Sequence, residues 1–95
     1  MKKRPETIVV GIGWYSREQY DTLLEISDDV DELEPTYEEW AAAAEKAFQN
    51  SVTAGISMER VPVDVEKLLS WCSERGLPVD GKARSQYVVE VLRGR

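Results

Sequence analysis

Residues 7–15 read Thr-Ile-Val-Val-Gly-Ile-Gly-Trp-Tyr, and the way this stretch is covered decides the fold. β-branched residues run together in it and Trp14-Tyr15 closes it, which is the composition of a strand. A period of two places Ile8, Val10, Ile12 and Trp14 on one face and Thr7, Val9, Gly11, Gly13 and Tyr15 on the other. Both faces are largely non-polar, so the strand is expected to be covered on both sides. The two glycines make one face shallow, and the Ala-rich run Ala41–Ala44 is the surface expected to approach it closely.

Helix signals follow directly. Ser16 and Gln19 fit a capping box, in which the hydroxyl accepts from the amide three residues on and Gln19 reaches back to the cap amide. Tyr20, Leu23, Leu24, Ser27 and Val30 then recur at helical spacing, and short acids loosen the helix near Asp28–Asp31. After the connector Asp31–Pro35, Thr36 and Glu39 form a second box that opens a helix over residues 37–53, with Tyr37, Trp40, Ala41, Ala44, Ala47 or Phe48, Ser51 and Val52 inward and Gly55 as its stop. Ile56–Val63 is a second strand with Pro62 at its edge or end. Asp64 caps a third helix with Val65, Leu68, Leu69 and Cys72 inward and Gly76 as its stop. Asp80 caps a fourth with Ala83, Tyr87, Val88, Val91 and Leu92 inward. The order β-α-α-β-α-α predicts an α+β fold, a small two-stranded sheet covered by about four helices. Two strands are marginal in water, so helices must cover them or a partner chain must extend the sheet. Trp14, Trp40 and Trp71, one each on the first strand, second helix and third helix, are expected in one aromatic core.

The chain has 95 residues, enough for one domain and too few for two, with residues 1–6 as a polar tail. A single cysteine, Cys72, excludes an intramolecular disulfide, and a small chain without staples reads as cytoplasmic. Lys2-Lys3-Arg4 before Ile8-Val9-Val10 imitates a secretion signal, but Pro5, Glu6 and Thr7 interrupt it and no small-residue cleavage site follows. No run approaches the ~20 apolar residues of a membrane span.

The net charge of −6 conceals a segregated pattern: eleven acidic and no basic residues lie between residues 18 and 45. An acidic chain lacks the basic footprint of a nucleic-acid binder and of an anionic-membrane anchor. Histidine is absent, which removes the commonest general base, the commonest metal ligand and every Ser-His or Cys-His nucleophile pair. One cysteine and no histidine cannot build a zinc site. A calcium loop starting at Asp29 fails, because Leu33, Glu34 and Trp40 fall where a ligand, a glycine and a bidentate acid are required. No cofactor, metal or catalytic residue is therefore expected.

Three functional readings follow. The leading one is a non-catalytic interaction or regulatory protein. Its docking segment for a basic protein comprises Asp28, Asp29, Asp31, Glu32, Glu34, Glu38 and Glu39, with Trp14 and Tyr15 as apolar anchors. A variant makes the acids a mimic of nucleic-acid phosphates. The alternative is a phosphate- or nucleotide-binding turn, because Gly11-x-Gly13 runs from a strand to a helix start at Ser16-Arg17, where backbone amides can meet an anion. Against it, Ser16 replaces the third glycine of the dinucleotide fingerprint, and no strand bearing a ribose-binding acid follows.

The C-terminal half, VDVEKLLSWCSERGLPVDGKARSQYVVEVL, resembles a segment of small uncharacterised bacterial proteins. The shared features are Trp71-Cys72, Gly76, Asp80-x-x-Ala83-Arg84 and Tyr87. The pairs Trp14-Tyr15 and Tyr37-x-x-Trp40 are similar too. The resemblance implies a bacterial, cytoplasmic protein and carries no activity or site.

Overall fold

A computed structural model describes residues 9–94. Thr7, Ile8 and the polar tail lie outside the described residues. The elements are β1 (Val9–Trp14), α1 (Arg17–Ile26), a short 3-10 turn (Val30–Glu32), α2 (Tyr37–Thr53), β2 (Ser57–Pro62), α3 (Val65–Glu74) and α4 (Gly81–Arg93). The class is α+β, with a two-stranded sheet and four helices in the order expected.

All four helix starts use the predicted caps. Ser16, Thr36, Asp64 and Asp80 accept from the amides of Gln19, Glu39, Lys67 and Ala83, satisfying donors that have no partner inside the helix. Gly55 and Gly76 end α2 and α3 at positive φ, 85° and 65°, a conformation that a Cβ disfavours. Gln19 departs from its expected role. Its Oε1 accepts from the amide of Val65 at 2.6 Å, so it ties α1 to the first turn of α3 instead of closing its own cap.

β1 and β2 run parallel, from Val9 opposite Ser57 to Trp14 opposite Pro62. The Val63 amide donates to the Trp14 carbonyl at 3.0 Å. Successive backbone groups of a strand point to opposite edges, so this bond fixes two directions at once. The missing amide of Pro62 falls on the outer edge of β2. The amides and carbonyls of Val9, Gly11 and Gly13 fall on the outer edge of β1.

The core is built from Tyr15, Tyr20, Leu23, Val61, Val63, Val65, Leu68, Cys72, Val79, Ala83 and Val88. The glycine face of β1 does receive a helix, but the helix is α4 and not the Ala-rich α2. A Cβ on Gly11 would stand 2.5 Å from Leu92 and 2.8 Å from Val88. β-branched and leucine side chains projecting from α4 fill the space that the absent side chain leaves. α2 packs on β2 instead and buries only Ala44, while Val52 stays exposed. The expected two-sided cover of β1 is also incomplete. Val9 remains 44% exposed, because the last turn of α4 lies over Gly11, beyond it, and Val10, on the opposite face, remains 45% exposed. Leu69 is exposed, since Leu68 and Cys72 take the inward face of α3. The tryptophans separate into two groups. Trp14 meets Trp40 edge-on at 5.4 Å, whereas Trp71 meets Tyr87 at 5.7 Å between α3 and α4.

Candidate interaction surfaces

The seven acids of residues 28–39 do not form one free face. Asp28 and Val79 exchange two bonds: the Asp28 amide donates to the Val79 carbonyl at 2.9 Å and the Asp28 carboxylate accepts from the Val79 amide at 2.8 Å. Asp29 accepts from both Arg84 nitrogens, at 2.8 and 2.7 Å, and from the Gly81 amide at 3.0 Å. The two acids therefore clamp the α1–α2 connector onto the N-terminus of α4, where the helix dipole also favours negative charge. The Arg84 hydrogen bonds hold the Asp29 carboxyl below its ordinary range although burial works against the charge.

Glu38 pairs with Arg17, and the Arg17 guanidinium lies 4.8 Å over the Tyr37 ring. The Glu34 carbonyl accepts from the Tyr20 hydroxyl at 2.5 Å, which fixes the connector against the core. Asp31, Glu32 and Glu39 are exposed and make no ion pair among the described residues. On α1, Glu18, Asp21 and Glu25 are likewise exposed and form no ion pair among the described residues. Their spacing of three and four puts them on one face of the helix.

Tyr15 does not serve as an exposed anchor, and Trp14 is half-buried. Tyr15 is 7% exposed, and burial pushes its phenol up to about 12. Trp14 lies between Trp40, Phe48 and the Arg60 guanidinium, and Arg60 is in turn held by Glu45.

Two of the four residues of the phosphate alternative, Ser16 and Arg17, are engaged elsewhere, and the two glycines pack against apolar side chains. Gly11 and Gly13 face Val88, Val61 and Val63. The Ser16 hydroxyl accepts from Gln19, and Arg17 is held by Glu38. Among the described residues no three metal-ligating side chains come together, and no helix is long and apolar enough to cross a membrane.

The sequence allows a partner chain to extend the sheet but does not show that the open edge belongs to β1. A groove of about 580 Å³ runs along it, lined by Val9 to Gly13 on one side and by Ser85, Val88, Val89, Leu92 and Arg93 of α4 on the other. Consecutive β1 residues of both faces line it, which places the groove along the strand's edge. A sequence signal did exist, since residues 9–14 contain no charge and no proline, but a composition of that kind marks an inner strand equally well. Comparison with protein-family models, curated proteins and solved structures returns no match.

Proposed function

We propose that this protein is a non-catalytic interaction module that meets a basic protein through the outward acids of α1 and the turn that follows it. One observation carries the reading. Glu18, Asp21 and Glu25 share an exposed face, Asp31 and Glu32 follow in the next turn, and the only cation of α1, Arg17, is engaged by Glu38. Uncompensated charge of one sign steers a complementary partner and repels wrong ones. Asp28 and Asp29 belong to the scaffold in this reading.

The test is a five-site variant, Glu18→Gln, Asp21→Asn, Glu25→Gln, Asp31→Asn and Glu32→Gln, compared with the parent as bait in native lysate. The parent is expected to retain basic proteins at low salt and release them near 1 M salt, where screening acts within about 3 Å. The variant is expected to retain none of them. Equal recovery by both baits sinks the proposal. Competition of a retained partner with duplex DNA decides whether the acids stand in for phosphates.

A further inference from the structure

We propose that the outer edge of β1 pairs with the same edge of a second copy of this chain, giving a two-fold dimer with a continuous four-stranded sheet. This inference is independent of the acidic face.

The edge is open in a specific way. Among the described residues, nothing hydrogen-bonds the outward amides and carbonyls of Val9, Gly11 and Gly13. Natural edge strands are blunted by charge, proline or bulges. β2 has such devices in Glu59, Arg60 and Pro62, whereas Val9–Trp14 has none. The missing amide of Pro62 falls on β2's outer edge, so β2 resists further pairing. A β1-to-β1 contact leaves only β2 edges outside, and the assembly closes at two copies.

The residues whose backbone groups point outward set the register. In an antiparallel ladder they must face one another. With Gly11 on the two-fold axis, Gly11 meets Gly11 of the second copy and Val9 meets its Gly13. Bulk then faces absence of bulk, and the two glycines offer no side chain to hold the backbones apart. A two-fold axis through the sheet keeps both α4 helices on one side of it. The ridge Ser85, Val89 and Arg93 then faces its symmetric counterpart, Val89 opposite Val89 and Arg93 opposite Ser85. Val89 is 44% exposed, matching the 44% and 45% of Val9 and Val10.

Charge and area both allow the contact. Val9–Trp14 carries no charge, Arg84 is paired with Asp29, and Arg93 faces a serine, so like charges are not apposed although each copy carries −6. A strand edge about 20 Å long and a helix flank of about the same length bury on the order of 1,000 Å² in total, the lower bound for a specific interface.

Sedimentation of the full chain from about 1 to 500 µM is expected to show a monomer–dimer equilibrium, as suits an interface of minimal size. Val10→Lys and Val89→Glu are both exposed substitutions. Each is expected to weaken dimerisation by about tenfold or more with the far-UV spectrum unchanged. As a second measure, Val89→Cys in a Cys72→Ala background is expected to form a disulfide-linked dimer under mild oxidation. A monomer at every concentration overturns the proposal and leaves the edge to a strand from another protein. A dimer that tolerates both substitutions and fails to cross-link through position 89 also overturns it.

Discussion

Asp29 and Arg84 stand 55 positions apart and meet through two parallel hydrogen bonds at 2.8 and 2.7 Å, with each side chain 13% exposed. The geometry is the bidentate fork that only a guanidinium offers a carboxylate. Removing either partner leaves the other mostly buried and uncompensated. Asp29→Ala and Arg84→Met are each expected to cost about 3 kcal/mol, the lower end for a buried pair. The double variant should cost less than the sum, with a coupling of about 1–3 kcal/mol. Urea unfolding of the four proteins measures this cycle. Additive losses would show that the fork holds nothing together.

The same pair sets an acid limit. The Arg84 hydrogen bonds keep the folded Asp29 carboxyl below its ordinary value. A depressed carboxylate contributes stability that is present above the unfolded value, about 4, and is lost as pH falls through the folded one. Asp29→Asn should therefore be less stable than the parent at pH 7 and lose less on acidification. The two stability curves should converge as pH falls below the unfolded value of about 4 and through the depressed folded one. Unfolding midpoints taken from pH 6 downward decide it, and curves that stay parallel would exclude the linkage.

The two glycines of β1 should respond differently to the same substitution. At Gly11 an added Cβ meets Val88 at 2.8 Å as well as Leu92 at 2.5 Å. Leucine can turn aside, but a helical valine has one strongly preferred rotamer. Gly11→Ala is expected to destabilise by about 1–3 kcal/mol, the usual cost of overpacking. At Gly13 the nearest atoms stand at 3.3–3.4 Å. There the clash is slight, and the entropy gain of about 0.4–1 kcal/mol from restricting the unfolded chain offsets it. Gly13→Ala should fall near zero, and Val88→Ala should partly rescue Gly11→Ala. Equal losses at both positions would show that the α4 contact is not what holds Gly11.

The difference between the legible and the illegible parts of this chain is one of distance along it. The caps at Ser16, Thr36, Asp64 and Asp80 use partners three residues on, so local sequence suffices to see them. The acids Asp28 and Asp29 find theirs 51 to 55 positions away, at Val79, Gly81 and Arg84. Viewed locally they are two more charges in an acidic run. Gln19 is misleading for the same reason, since its nearest backbone donor in sequence is not its partner in space. The glycines on β1 signal a close helix, but which helix depends on the topology. Charge asymmetry was visible from the start, and the structure narrows it to Glu18, Asp21, Glu25, Asp31, Glu32 and Glu39 as exposed acids whose carboxylates make no ion pair or hydrogen bond among the described residues. The groove beside β1 is a property of two elements far apart in the chain.

Tyr15 gives the alkaline counterpart of Asp29. Its phenol is buried against Tyr20 and Trp40, and desolvation raises it from 10 to about 12. A phenol with a raised folded value stays protonated longer in the native state than in the unfolded chain. Its contribution is complete below about pH 10 and is lost as pH rises through the folded value. The unfolded chain should therefore gain on the native state between about pH 10 and 12, by an amount on the order of 3 kcal/mol for two pH units. Tyr15→Phe keeps the ring and removes the proton, so its stability should fall less over that window. Burial raises Tyr20 and Tyr87 as well, so in a spectrophotometric titration of the native protein Tyr15→Phe should remove one tyrosine from the late-ionising amplitude, which denaturant abolishes. If Tyr15→Phe leaves the late-ionising amplitude undiminished, Tyr15 does not contribute to it and the linkage fails.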